Sequence, residues 1–229
     1  MCLKANRKLA VLRGVKSLSR ATLDLLFKVT VRSVFDYAMP VYFKNLSQLQ
    51  ISRMENVQYR AAKLVTGAYH FTSRDKLYNE LGWESLQQRN DYLGLNIFQK
   101  IHLHETRPLI RTCLQPFDQQ FYNCRSKGAY RPFKKSGMKF KNSFFPYFTK
   151  LWNSLPPSEQ GKNMFEFKEF TKNKFKPPKI KHYSRGNKFS NTLLTKIRVG
   201  RSDLNQHKFT IGQAESPECL CHHNPYIIS

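Results

Sequence analysis

The segment RATLDLLFKVTVRSVFDYA, Arg20–Ala38, decides the fold class. Leu23, Phe27, Val31, Val34 and Ala38 recur at steps of three and four, the spacing of one helix face, and Ser19 stands where an N-cap belongs. The charged residues Asp24, Lys28, Arg32 and Asp36 fall four apart. They predict one narrow wet stripe on an otherwise apolar cylinder, and hence the most buried helix of the molecule. Asp24–Lys28 and Arg32–Asp36 are opposite charges at i, i+4, each worth roughly 0.2–0.5 kcal/mol, so burial rather than pairing sets the fold.

The same grammar extends on both sides. Leu46 to Thr66 places Met54, Val57, Ala61, Leu64 and Val65 on one face and Arg53, Asn56, Arg60 and Lys63 on another, and it stops at Gly67. Ser73 caps a short helix to Leu81 closed by Gly82. Ser85 begins a longer one reaching about Glu105, and Pro108 opens a last one in Leu109 to Leu114. After Gln115 the texture changes: Asn123 to Lys150 holds eight Lys and Arg and no Asp or Glu, mixed with aromatics.

Helical pattern returns at Pro146 to Ser154 and Met164 to Phe175, interrupted by Pro156-Pro157 and Pro177-Pro178. Lys172 to Asn187 reads as a basic linker. Asn191 caps a final helix in Thr192 to Val199 that stops at Gly200, and Asp203 to Phe209 adds a further turn. The expected fold is mainly α: a helical bundle in residues 1–115, a basic aromatic-rich region and linker in 116–190, and a C-terminal helix with a Cys/His segment in 191–229. The boundary falls near 115–122.

Apolar residues make up 40% of the 229 and aromatics 14%, which argues against disorder throughout. Lys and Arg number 39 against 15 Asp and Glu, a formal charge of +24 that points to a polyanionic partner, the backbone of RNA or DNA. Arg107 to Ser229 carries 23 basic and 7 acidic residues, Met1 to Thr106 16 and 8, so the second part is the electrostatic half. Every apolar run is interrupted by charge well before 18 residues, so no membrane span is expected. Five cysteines lie far apart except Cys219 and Cys221, and nothing after Met1 has the succession of a signal peptide. The expected compartment is reducing, nuclear or cytoplasmic.

Five strings are more specific than composition: LKANRKLAVLRG (Leu3–Gly14), VRSVFDYAMPVY (Val31–Tyr42), ENVQYRAAKLVTGAY (Glu55–Tyr69), KLWNSLP (Lys150–Pro156) and NTLLTKIRVGRSDLNQHKF (Asn191–Phe209). In this order they resemble the region downstream of the catalytic palm in non-LTR (LINE, jockey-like) retrotransposon reverse transcriptases, over nearly the whole chain. The resemblance implies a helical thumb and its extension for the first three strings, with the last leading into a zinc-binding segment. It also implies a fragment of an RNA-directed DNA polymerase rather than the polymerase itself.

Two-metal nucleotidyl transfer needs clustered carboxylates holding ions about 3.5–4 Å apart. This sequence has no two adjacent acidic residues. The family's aromatic-Ala-Asp-Asp motif is missing, and Phe35-Asp36-Tyr37-Ala38 has its letters in the wrong order, so Asp36 reads as a structural residue and no catalytic residue is expected. Within a helical thumb, Arg53, Arg60 and Lys63 are the best-aligned contacts to a duplex backbone.

Farther on, Arg131, Lys134, Lys135, Lys139 and Lys141 interleave with aromatics, the combination that tracks phosphates and stacks bases. Tyr130 and Phe133, on a loop, are the stacking candidates, whereas Phe144, Phe145, Phe148, Leu151 and Trp152 have the spacing of a core face. Lys179, Lys181 and Arg185 lie in the densest charge run.

The chain ends SPECLCHHNPYIIS, Ser216–Ser229. Cys219, Cys221 and His222 are zinc-ligand candidates, but a structural zinc site wants four ligands brought from two chain segments. The family pattern continues with a His and a further Cys that Asn224 to Ser229 lacks. The metal site is therefore expected to be incomplete, and no cofactor, zinc included, is expected to be held stably. The expected function is sequence-independent RNA or DNA binding by a palm-less, truncated piece of a retrotransposon polymerase. The alternatives are a host protein reusing the module as a nucleic-acid-binding adaptor, and a translated relic without function.

Overall fold

The computed structural model describes residues 1–69, 72–103, 108–114, 130–134, 137–177, 187–199 and 208. The chain is mainly helical, with no strand among the described residues. Helix α1, Cys2–Gly14, buries Ala5, Leu9 and Leu12, a face of steps four and three. Helix α2, Arg20–Leu26, starts on Ser19, whose side chain accepts from the Thr22 amide. It runs directly into a π-helical segment, Phe27–Arg32, and then α3, Ser33–Asp36.

The π-turn corrects the reading of Arg20–Ala38 as one regular α-helix. The fully buried apolar residues are Leu23, Phe27, Val31, Phe35, Met39 and Phe43, spaced by four throughout, while Val34 is only half-buried and Ala38 is exposed. Residues four apart drift about 40° around an α-helix, so Phe35 would point roughly 120° away from Leu23. A turn closed by i→i+5 bonds is wider and cancels part of that drift. The Thr30 hydroxyl donates to the Leu26 carbonyl at 2.6 Å, a back-bond that helps distort the ladder.

The four-residue charged stripe stays aligned for the same reason, but it is not wet. Asp24 and Arg32 are buried, and Asp36 pairs with Arg89 rather than with Arg32. Only Lys28–Asp24 forms as an i, i+4 pair, at 2.8 Å. Nor is this the most buried helix on every side, since Leu25 and Val29 are exposed. The segment ends at Ala38, whose left-handed φ of 52° turns the chain into α4, Met39–Tyr42.

Helix α5, Gln48–Thr66, opens with a full capping box between Ser47 and Gln50 and closes on left-handed Gly67. Helix α6, Arg74–Leu81, closes on Gly82, and α7, Leu86–His102, opens with a second capping box, Ser85 and Gln88. Helix α7 stops three residues short of Glu105. Then come α8, Pro108–Arg111; α9, Met138–Lys141; α10, Phe144–Asn153; α11, Pro157–Gln160; and α12, Met164–Phe175. Helix α13, Lys188–Arg198, begins on Asn187, four residues before the expected cap; Asn191 is buried within it.

Two hydrophobic clusters organise these helices. The first joins α1 to α6 around Phe27, Phe35, Phe43 and Trp83, with Trp83 stacked on Phe27 at 4.3 Å between centroids. The second gathers Leu95, Phe98 and Ile101 of α7, Leu114, Phe148 and Trp152 of α10, Leu155, and Phe167 of α12. It draws on both sides of the expected boundary, because α7 is long enough to give its first turn to one cluster and its last turns to the other. Helix α13 returns to the first cluster: Arg20 donates to the Thr195 hydroxyl at 2.9 Å and Lys76 to the Val199 carbonyl at 3.0 Å.

Candidate nucleic-acid interface

Helices α1 and α13 both pack against α5. Together the three carry ten basic residues: Lys4, Arg7, Lys8 and Arg13 on α1, Arg53, Arg60 and Lys63 on α5, and Lys188, Lys196 and Arg198 on α13. Their one carboxylate is Glu55. It is buried and saturated, accepting from the Tyr78 hydroxyl at 2.8 Å and the Leu86 amide at 2.7 Å. The outward faces of these helices therefore present cations without acids of their own, although Arg198 pairs with Glu80 of α6 at 3.2 Å.

Local contacts fix part of this surface. Arg60 donates to Asn6 Oδ1 at 2.7 Å, tying α5 to α1, and Arg74 donates to Asn56 Oδ1 at 2.9 Å. Lys63 lies 4.4 Å from the Tyr59 ring centroid, and Lys196 4.2 Å from that of Tyr69, so aromatic faces hold both ammonium groups. Burial, then the neighbouring Arg60, lowers the Lys63 pKa. Burial, then Lys16, lowers the Lys188 pKa as well. Arg53 and Arg7 are exposed.

Arg53, Arg60 and Lys63 thus share one face, as their spacing suggested. The sequence reading missed their neighbours on α1 and α13; the available signal was that neither helix contains an acidic residue. Tyr130 and Phe133 are half-buried and already in contact with other rings. Tyr130 packs edge-on against Phe98 at 5.7 Å, with its hydroxyl 2.7 Å from His102 Nδ1, and Phe133 packs on Phe140 at 5.8 Å. Arg131, Lys134, Lys139 and Lys141 are exposed, away from the α1–α5 pair in sequence and on other elements. Lys135, Lys179, Lys181, Arg185, Cys219, Cys221 and His222 lie outside the described residues.

Asp36 is gripped by a forked guanidinium, Arg89 Nε to Oδ1 at 3.0 Å and Nη2 to Oδ2 at 2.7 Å. Among the described residues no group of three or more His, Cys, Asp or Glu could hold a metal ion, and no helix is long and apolar enough to cross a membrane. No protein-family model matches the chain, and neither does any curated protein or solved structure.

Proposed function

We propose that this chain is the thumb-to-zinc-segment region of a non-LTR retrotransposon reverse transcriptase, and that what these residues contribute is sequence-independent binding of an RNA or DNA backbone rather than catalysis. The observation that carries the binding is the acid-free outer surface of α1, α5 and α13. The five ordered sequence strings support the family origin. Rigid helices presenting Lys and Arg at fixed spacing neutralise phosphates and release counterions, which gives affinity without base readout.

Fluorescence anisotropy with short RNA and DNA duplexes over a salt series tests this. Affinity should fall with a log–log slope of about −0.9 per neutralised phosphate. The exposed pair Arg7→Glu/Arg53→Glu should make the slope shallower by about 2 and weaken binding to all sequences alike. Salt-independent affinity, or no binding at low salt, would rule the proposal out.

A further inference from the structure

A cleft of about 220 Å³ opens on a different part of the molecule, lined by Lys28, Arg32, Gly82, Glu84, Arg89 and Lys176. It lies where the π-helical segment, the α6–α7 junction and the residue after α12 meet. Four of the six lining residues are cations. Its size is below the roughly 300–1,000 Å³ of sites for drug-sized ligands and suits a small anion with a few waters.

The charges around the cleft do not balance. Lys28 Nζ is held by Asp24 Oδ2 at 2.8 Å, and Arg89 by Asp36 at 2.7 Å. Glu84 Oε1 accepts from Arg89 Nη1 at 2.8 Å and stands 3.7 Å from Arg32 Nη1, so a single carboxylate serves two guanidinium groups. Among the described residues Lys176 has no carboxylate within ion-pair distance; its ammonium rests 4.3 Å from the Tyr92 ring centroid. Four cations thus face three carboxylates.

Arg32 is 4% exposed, its guanidinium lies beside the stacked pair of Phe27 and Trp83, and its Nε and Nη2 are buried with no hydrogen-bond partner among the described residues. Leaving charged donors buried without acceptors is costly, and the two nitrogens form one edge of the fork that matches a pair of oxygens. Burial, outweighing Glu84 and reinforced by Arg89 and Arg32, lowers the Lys176 pKa, in keeping with an excess of positive charge.

We propose that this cleft is a phosphate-binding site, with Arg32 and Lys176 supplying the donors that its own carboxylates leave unengaged. A phosphate carries enough charge to offset the surplus and enough oxygens to meet a guanidinium edge and an ammonium together. Glu84 in the wall does not repel it, since two guanidinium groups already share that carboxylate. None of its lining residues belongs to α1, α5 or α13.

The test is thermal melting of the full chain with inorganic phosphate, at ionic strength held constant with chloride, alongside phosphorus NMR line broadening. The melting temperature should rise saturably, with half-saturation on the order of 1 mM or below. Lys176→Met should weaken the phosphate response about tenfold or more, while melting no lower than wild type without phosphate, because it removes an uncompensated charge. Arg7→Glu/Arg53→Glu should keep the full response, which separates this site from the nucleic-acid surface. Nucleoside monophosphate and dinucleotide arms distinguish a free phosphomonoester from a backbone phosphodiester as the source. No phosphate-specific shift at about 10 mM, or an undiminished shift in Lys176→Met, overturns the proposal.

Discussion

Arg32 shows how one side chain can be read correctly in position and wrongly in environment. Its four-residue spacing from Lys28 and Asp36 was plain in the sequence. Periodicity gives the angle of a side chain around a helix and is silent about what covers that angle; here Trp83 and Glu84, fifty residues on, cover it. Glu84 is its counterion, and it is 2% exposed. Burial pushes the Glu84 pKa up, but Arg32 and Arg89 outweigh that and hold it below the ordinary 4.5.

A carboxylate with a depressed folded-state pKa contributes stability above its unfolded value and loses it as pH falls. Denaturant midpoints of the wild type should therefore drop as pH is lowered below about 4.5. Glu84→Gln strands Arg32 without a counterion and should cost roughly 3–5 kcal/mol at neutral pH, with a shallower acid slope than wild type. Equal acid slopes in the two proteins would show that Glu84 is not coupled to the guanidinium pair.

At the scale of elements, punctuation was the most legible layer. Ser47 with Gln50 and Ser85 with Gln88 are complete capping boxes, and Gly67 and Gly82 supply the two left-handed closures. Ser73 occupies the N-cap of α6 but makes no side-chain cap bond. Ser85→Ala should cost about 1 kcal/mol, whereas Ser73→Ala should fall within about 0.5 kcal/mol of wild type in equilibrium unfolding. The start of α13 was misread because Asn187 and Asn191 are both competent caps four residues apart, and it is the outer one, Asn187, whose side chain accepts from the Ser190 amide and opens the helix. The π-turn was visible as a strict four-residue repeat from Leu23 to Phe43, which fits neither a regular α-helix nor a strand.

At the scale of the whole molecule, what the sequence concealed is long-range. Arg20 reaches Thr195 across 175 positions, and nothing local to either residue signals that contact. The change of composition near residue 115 was real, but composition follows solvent exposure and charge rather than packing, so it did not reveal that α7 belongs to both clusters. At Gly94 on α7 the Phe148 ring of α10 lies directly against the backbone: a Cβ built there would fall within that ring. In an open helix Gly→Ala gains about 1 kcal/mol; here the overlap with a fully buried ring dominates, and Gly94→Ala should destabilise by about 1–3 kcal/mol. Phe148→Leu in the same chain should recover part of that loss in thermal melts, which a backbone effect at Gly94 would not allow.

The π-turn between Phe27 and Arg32 has a consequence for length variation. Such a turn is a regular helix holding one residue more than its rise requires. Loss of a single residue there would let the segment relax to an ordinary α-helix, leaving Phe35, Met39 and everything beyond on their present faces. The same deletion within α5 or α7 would rotate all that follows by about 100° and take the buried face out of the core. The helix at the heart of the fold is thus also the place where the chain could change length by one residue and keep its shape.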